Sequence, residues 1–339
     1  MSMIGKSLQR SAFTLVFVLF ACSLWAQSES MDELYKKALK EGGTLNFYGT
    51  LAQSAAGKVL PVFEKRFTGI KINHLDATSD KLLARAIAEA RAGRTIGDVL
   101  QINLDNMVQA HDQKLLVEQT IPEAQEYPEG MKGSFWLPSD LDIIITGWNT
   151  NMVKKEDEPK TFDDFADPKW KNRLIAEPRD VELLIGLAKY KFKSDEKAIA
   201  LMKRIAANNP EFHKGHSQLA ELLIGGQAAA CLTCYSHHFP GRIKKGAPLN
   251  YMLTEGVASI GATAVFKNAP HPNTALLFAR WMASQEGQKS MAVGGRTPAH
   301  PKVESVEKTQ SEKIYAISTA DIKEYPKYEK IWKDIFKLR

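Results

Sequence analysis

The chain has 339 residues, of which 44% are hydrophobic, 9% aromatic and 25% charged. That mixture excludes a disordered chain, a collagen-like repeat and a polytopic membrane protein, and the length suits about two domains, each with its own core. The 45 lysines and arginines exceed the 39 acids, giving a formal charge of +6, yet no run of five basic residues exists to follow a phosphate backbone. Nucleic acid is therefore not an expected partner.

Lys6 and Arg10 are the only charges before Trp25, and an apolar stretch over 12–25 leads to Ala26-Gln27-Ser28. A basic start, a short apolar middle and a small residue before a polar stretch form a secretory signal, cleaved after Ala26. The apolar part is short for a bilayer span. Leu19-Phe20-Ala21-Cys22 loosely fits a lipoprotein box, so lipid on Cys22 is the alternative. Loss of residues 1–26 removes two cations and no anion, leaving about +4. The expected location is periplasmic or otherwise extracytoplasmic.

Helical spacing over 31–42 ends at Gly42-Gly43, and a short strand follows over 45–48. A helix is predicted over 55–67, with Val59, Val62, Phe63 and Phe67 on one face. Next come a strand over 70–75, a helix over 79–92 behind Thr78-Ser79, a strand over 97–102 and a helix over 104–112. Three strand–loop–helix units predict a largely parallel, doubly wound sheet, whose loops and helix N-termini gather at the carboxyl ends of the strands. After a polar, proline-bearing stretch over 122–138, an apolar strand over 141–147 opens a second unit. It continues with a short capped helix over 161–166, a strand over 174–176, and helices over 181–191, 196–207 and 217–224. A strand over 228–234 and a helix over 239–245 complete it, before strands over 249–253 and 259–266. Helices over 273–283 and 285–292 and an amphipathic helical tail over 321–338 end the chain.

The fold class predicted is α/β: two doubly wound lobes joined by a two-crossing hinge. The chain crosses near 138–145 and returns near 254–262. The expected division is a signal over 1–26, lobe 1 over 27–138, lobe 2 over 139–256, a return segment of lobe 1 over 257–310, and C-terminal helices over 311–339 packing on lobe 2. Cys231 and Cys234 fall in the predicted buried strand, where residues three apart point to opposite faces. They are read as two buried small hydrophobes. A disulfide is the alternative, favoured by the even pair and an oxidising compartment, and a redox or metal role is a third reading.

The histidines, Ser236, Glu177 and Asp180 could form a hydrolytic set, so a secreted hydrolase stays open as an alternative. No G-x-S-x-G elbow, H-E-x-x-H or Walker-type glycine loop occurs, and no enzyme is expected.

Six segments occur in a suggestive order: Phe47-Tyr48-Gly49-Thr50, Gly97-Asp98-Val99-Leu100, Trp148-Asn149-Thr150, Asp167-Pro168-Lys169-Trp170-Lys171-Asn172-Arg173, His271-Pro272-Asn273 and Glu286-Gly287-Gln288. This order resembles the extracytoplasmic solute-binding proteins of ABC importers, in the ferric-iron-binding-like branch of the type II periplasmic binding protein fold. The resemblance implies a hinged receptor, expected to be a monomer, that closes on a small-molecule solute and delivers it to a membrane permease. Iron-binding members carry two adjacent tyrosines, a histidine in the first loop and a carboxylate after the third strand. The corresponding positions here are Ser236-His237 or His237-His238, Ala52 and Asn103.

A hard trivalent cation needs anionic oxygen ligands, so the favoured solute is an organic anion of carboxylate or phosphonate type. Thr50, Thr78, Ser79 and Asn103, close to helix starts, are expected to hold its oxygens, and Arg179 to clamp it bidentately. Tyr48 and Tyr235 are expected on opposite walls, with His237 beside them. The plainer readings are helix capping for Thr78 and Ser79, and for Arg179 a solvated charge or a partner of Asp180. The alternative cargo is a metal, ferric iron or zinc, on His237 and His238, with His213, His216 and Cys234 nearby. No cofactor is expected apart from such a transported metal. Arg296 is expected to tie the returning chain.

Overall fold

Ten short strands carry the alternation of the sequence into one mixed sheet. They are β1 (Thr44–Gly49), β2 (Lys71–Asp76), β3 (Val99–Asn103), β4 (Leu137–Asn149), β5 (Leu174–Ala176), β6 (Glu211–Phe212), β7 (Ala230–Tyr235), β8 (Leu249–Tyr251), β9 (Glu255–Val265) and β10 (Lys313–Ala316). The structure is a computed structural model that describes residues 29–118, 121–307, 309 and 311–339; the export signal and Cys22 lie outside the described residues.

The strand order is β2-β1-β3-β9-β4-β7-β5-β6, with β10 on β9 and β8 on β4. β1 runs parallel to β2 and β3, and β5 parallel to β6 and β7, so each lobe has its own parallel set. The long strands β4 and β9 pair antiparallel with each other from Leu137 opposite Thr263 to Ile144 opposite Val257. β9 also pairs β3, and β4 also pairs β7, so these two strands are the two crossings between lobes. Continuous apolar runs permit this, because both faces of a central strand are covered.

In lobe 1, Phe47, Phe63, Phe278 and Trp281 pack at ring-centroid separations of 4.9–5.8 Å. The segments that resemble the receptor family serve this frame. Buried Asp98 accepts from the backbone N–H groups of Asn46 and His271 at 2.7 Å each, tying β1 to the return segment. Gln288 donates to the carbonyl of Ser139 at 2.6 Å and accepts from the Ala299 N–H at 2.7 Å, which seats the start of the hinge. In lobe 2, the helix Tyr325–Phe336 packs on the loop after β5, with the Trp332 indole donating to the Pro178 carbonyl at 2.9 Å.

Three local expectations change. The helix predicted over 181–191 is α-helical only over Val181–Gly186 and continues as a π-turn over Leu187–Lys191. The tail is two helices, Thr319–Ile322 and Tyr325–Phe336, because Pro326 suits a first helical turn but not a helix interior. Cys231 and Cys234 are joined in a disulfide, with Cα atoms 6.1 Å apart. Opposite-face geometry holds only for a regular strand, and β7 shifts register against β4 between these two cysteines.

Candidate functional site

The carboxyl ends of the strands in both lobes meet at a cleft of ≈ 390 Å³. From lobe 1 the loops after β1, β2 and β3 bring Thr50, Asp76 to Ser79, and Asn103, Asp105 and Asn106. From lobe 2 the loop after β5 brings Glu177, Arg179, Asp180 and Glu182, and the end of β7 brings Tyr235 and His238. Asp142 of β4 and Arg296 close the floor, and Tyr325 reaches in from the last helix. This is where a doubly wound sheet places a ligand.

The cleft brings together six of the expected residues: Thr50, Thr78, Ser79, Asn103, Arg179 and Tyr235. Their donors are largely committed. Thr50 donates through its N–H and its hydroxyl to Gln101 Oε1, at 2.9 and 3.3 Å. The Ser79 hydroxyl accepts from the Asn103 N–H at 3.1 Å and donates to its side-chain carbonyl at 3.2 Å. Two other residues sit elsewhere. Tyr48 is in the lobe 1 core, its hydroxyl donating to Glu89 at 2.7 Å with the Arg85 guanidinium 5.2 Å from its ring centre. Its direction along β1 points it under the helix Ser79–Arg91 rather than into the cleft. His237 lines a second interlobe cavity.

Arg179 is not a free clamp. Its Nε and Nη2 donate to the two oxygens of Glu177 at 2.8 and 2.9 Å, and Nη1 to Asp80 at 2.6 Å. The planar fork that would grip an anionic ligand is filled by Glu177, whose side chain is fully buried. Asp80 stands at the start of a lobe 1 helix, so this guanidinium also straps the two lobes together. The Arg179→Ala variant is expected to lose about 3 kcal/mol of stability in denaturant unfolding, because it strands a buried carboxylate. An anion receptor would lose its ligand in the same variant.

What lines the cleft is a set of carboxyls. Asp105 and Glu182 have no lysine or arginine within ion-pair distance among the described residues, and Asp180 meets only His216 Nε2, at 3.2 Å. Burial pushes the carboxyl of Glu182 well above its usual range, and Asp105 and Asp180 push it further. Burial likewise raises Asp105 and Asp180. Asp142 is pushed up to about 6, by burial first and then by Asp140, with Arg296 opposing. One oxygen each of Asp105 and Asp180 is buried without a hydrogen-bond partner. Phenols line the same space. Tyr235 stacks on His216 with ring centres 3.5 Å apart, and burial together with Glu182 and Asp105 raises Tyr325.

Of the two adjacent histidines read as an alternative metal site, His237 is engaged by a guanidinium. His237 Nε2 accepts from Arg296 Nη1 at 2.5 Å, and Arg296 also donates to Asp140 and Asp142 at 2.6 Å each. Burial and the adjacent Arg296 hold His237 well below the usual imidazole range, so a metal ion here would face a guanidinium across the ring. Arg296 does tie the returning chain, as expected. Sequence reasoning did not assign Asp105, Asp142, Glu182 or Tyr325 to the site, and gave Glu177 and Asp180 only other roles. Three acids within Glu177–Glu182 directly after a strand were the available signal.

Two lobes on a double strand hinge, with polar walls facing across a cleft, define a ligand-capturing binding protein. The model for the bacterial extracellular solute-binding protein family matches residues 59–327, and the chain belongs to that family. It is an extracellular solute-binding protein rather than an enzyme. Iron uptake protein A1 of Synechocystis is 24% identical over 308 residues, covering 83% of this chain and 82% of that protein. The major ferric iron-binding protein of Neisseria meningitidis serogroup B is 25% identical over 279 residues, covering 77% and 82%. Among solved structures, the periplasmic binding protein AfuA of Actinobacillus pleuropneumoniae with fructose-6-phosphate superposes with a TM-score of 0.72 at 21% identity, covering 88% of this chain and 99% of AfuA.

Proposed function

We propose that the captured solute is a cation, with ferric iron the first cargo to test. The observation that carries this reading is the set of buried carboxyls, Asp105, Asp180 and Glu182, that lacks lysine or arginine ion-pair partners among the described residues. Buried like charges persist when function requires them, since each raises the cost of ionising the others. Asp105 stands on lobe 1 and Glu182 on lobe 2, so their repulsion opposes closure and a cation between them reverses its sign. Ligand then stabilises the closed form in proportion to its extra contacts there.

Ferric iron is supported by the names of the two relatives and by a donor set made of carboxylate and phenol oxygens, including Tyr235 and Tyr325. A second reading, a small organic solute bearing ammonium groups, is favoured by a separate observation. Among the described residues no three His, Cys, Asp or Glu side chains converge closely enough to hold a metal ion, and the cleft has room for several heavy atoms. The anion reading loses support with Arg179 committed to Glu177.

Native mass spectrometry of protein purified from its own export compartment, followed by titration with ferric citrate and with simple diamines, tests the proposal. Retained iron or an organic cation is expected. Asp180→Asn should then weaken binding at least tenfold, about 1.4 kcal/mol. A retained phosphate or carboxylate ligand, insensitive to Asp180→Asn, would overturn it.

A further inference from the structure

The pairing of β4 with β7 slips once. Ile145 lies opposite Cys234 and Gly147 opposite Cys231, so Thr146 alone faces both Leu232 and Thr233. One extra residue on β7 makes a β-bulge, and its consequence for the cleft is direct. In a regular strand Cys231, Thr233 and Tyr235 would share a face. With the bulge, Cys231 and Cys234 pack together among Ile143, Ile145 and Phe239, while Leu232 and Tyr235 join the cluster on the other side. Tyr235 reaches the cleft wall against His216 because the strand contains this extra residue.

We propose that the Cys231–Cys234 disulfide is a positioning clamp for Tyr235. A bridge between residues three apart cannot form across a regular strand, whose side chains there point to opposite faces. The bond therefore excludes the unbulged register. A slip of one residue would turn Tyr235 and the turn Ser236–His238 away from the ligand. Two side-chain bonds also hold the bulge: the Thr146 hydroxyl donates to the Leu232 carbonyl at 3.3 Å, and the Thr233 hydroxyl accepts from the Glu177 N–H at 2.9 Å. Both cysteines are fully buried, and the loop they close is short, so the bond adds little chain-entropy stabilisation to the whole protein. Its effect is concentrated on register. This assignment concerns the wall of the cleft and does not depend on which solute binds.

The test uses protein labelled with 3-fluorotyrosine and read by fluorine NMR without ligand. The resonance of Tyr235 is identified by its loss in Tyr235→Phe. In the double variant Cys231→Ala/Cys234→Ala, the Tyr235 resonance is expected to shift or split, while those of Tyr48 and Tyr127 in lobe 1 stay in place. Wild-type chain refolded in a thiol reductant provides the same comparison if the variant does not accumulate. An unmoved Tyr235 resonance would overturn the proposal, and so would collapse of all tyrosine resonances together, since the bond would then support the fold at large. Neither outcome touches the cation reading, which is decided by the cargo and by Asp180→Asn.

Discussion

Capture of the solute at pH 6 is expected to release protons, roughly one for each ligand bound. The cleft carboxyls are raised: Asp142 to about 6, Asp105 and Asp180 upward, and Glu182 well upward. A cation binds the ionised forms and lowers these values again, so protons leave as it enters. Affinity should therefore climb as pH rises from about 5 to 7, by up to tenfold per unit for each proton released. The stability of the empty receptor should move the other way. An acid whose folded-state value lies above its unfolded value favours the fold most when protonated, and that contribution is lost as pH rises through the folded-state value. For Asp142 the loss falls between the ordinary carboxyl range, near 4, and about 6. Calorimetric titrations in two buffers of different protonation heat measure the proton count. Uptake of protons on binding would end the cation reading, because an anion favours the protonated acids.

The fold was largely legible in the sequence because alternating strand–helix units leave few topologies open. The strands predicted over 70–75 and 97–102 appear as β2 and β3, and the two expected crossings fall on β4 and β9. What escaped was set by a single inserted residue or a long-range partner. β10 shows no run of alternation, with only Tyr315 buried, and exists because the start of β9 offers it an edge. The disulfide depends on a one-residue bulge that no periodicity encodes. The location of the site was readable, since loops after strands in both lobes had to face each other. Its sign was not. Arg179 looked available in Glu177-Pro178-Arg179-Asp180, yet its neighbour two residues back folds under it and takes its fork. Asp105, in the first turn of its helix, drew no reading from the sequence and faces Glu182 from another part of the chain.

Two glutamates on the same loop and helix should respond oppositely to the same substitution. Glu182→Gln removes a buried carboxyl whose ionisation burial, Asp105 and Asp180 oppose and that no lysine or arginine pairs among the described residues. The empty receptor should gain about 1 kcal/mol, a rise of roughly 1–2 °C in Tm, while cation affinity falls about ten- to a hundredfold. Glu177→Gln removes a carboxylate held below its usual range, where bonds from Arg179 and from the Gly215 N–H at 2.5 Å overcome burial. It should cost about 3 kcal/mol, since Arg179 loses a bidentate partner in a mostly buried site. The gain at Glu182 is the informative half, because a structural acid does not stabilise its protein on leaving. Thermal unfolding of the two variants without ligand, alongside binding of ferric citrate and diamines, separates the roles. If Glu182→Gln lowers Tm and leaves binding intact, Glu182 supports packing rather than cargo, and the cleft's excess negative charge has no solute to explain it.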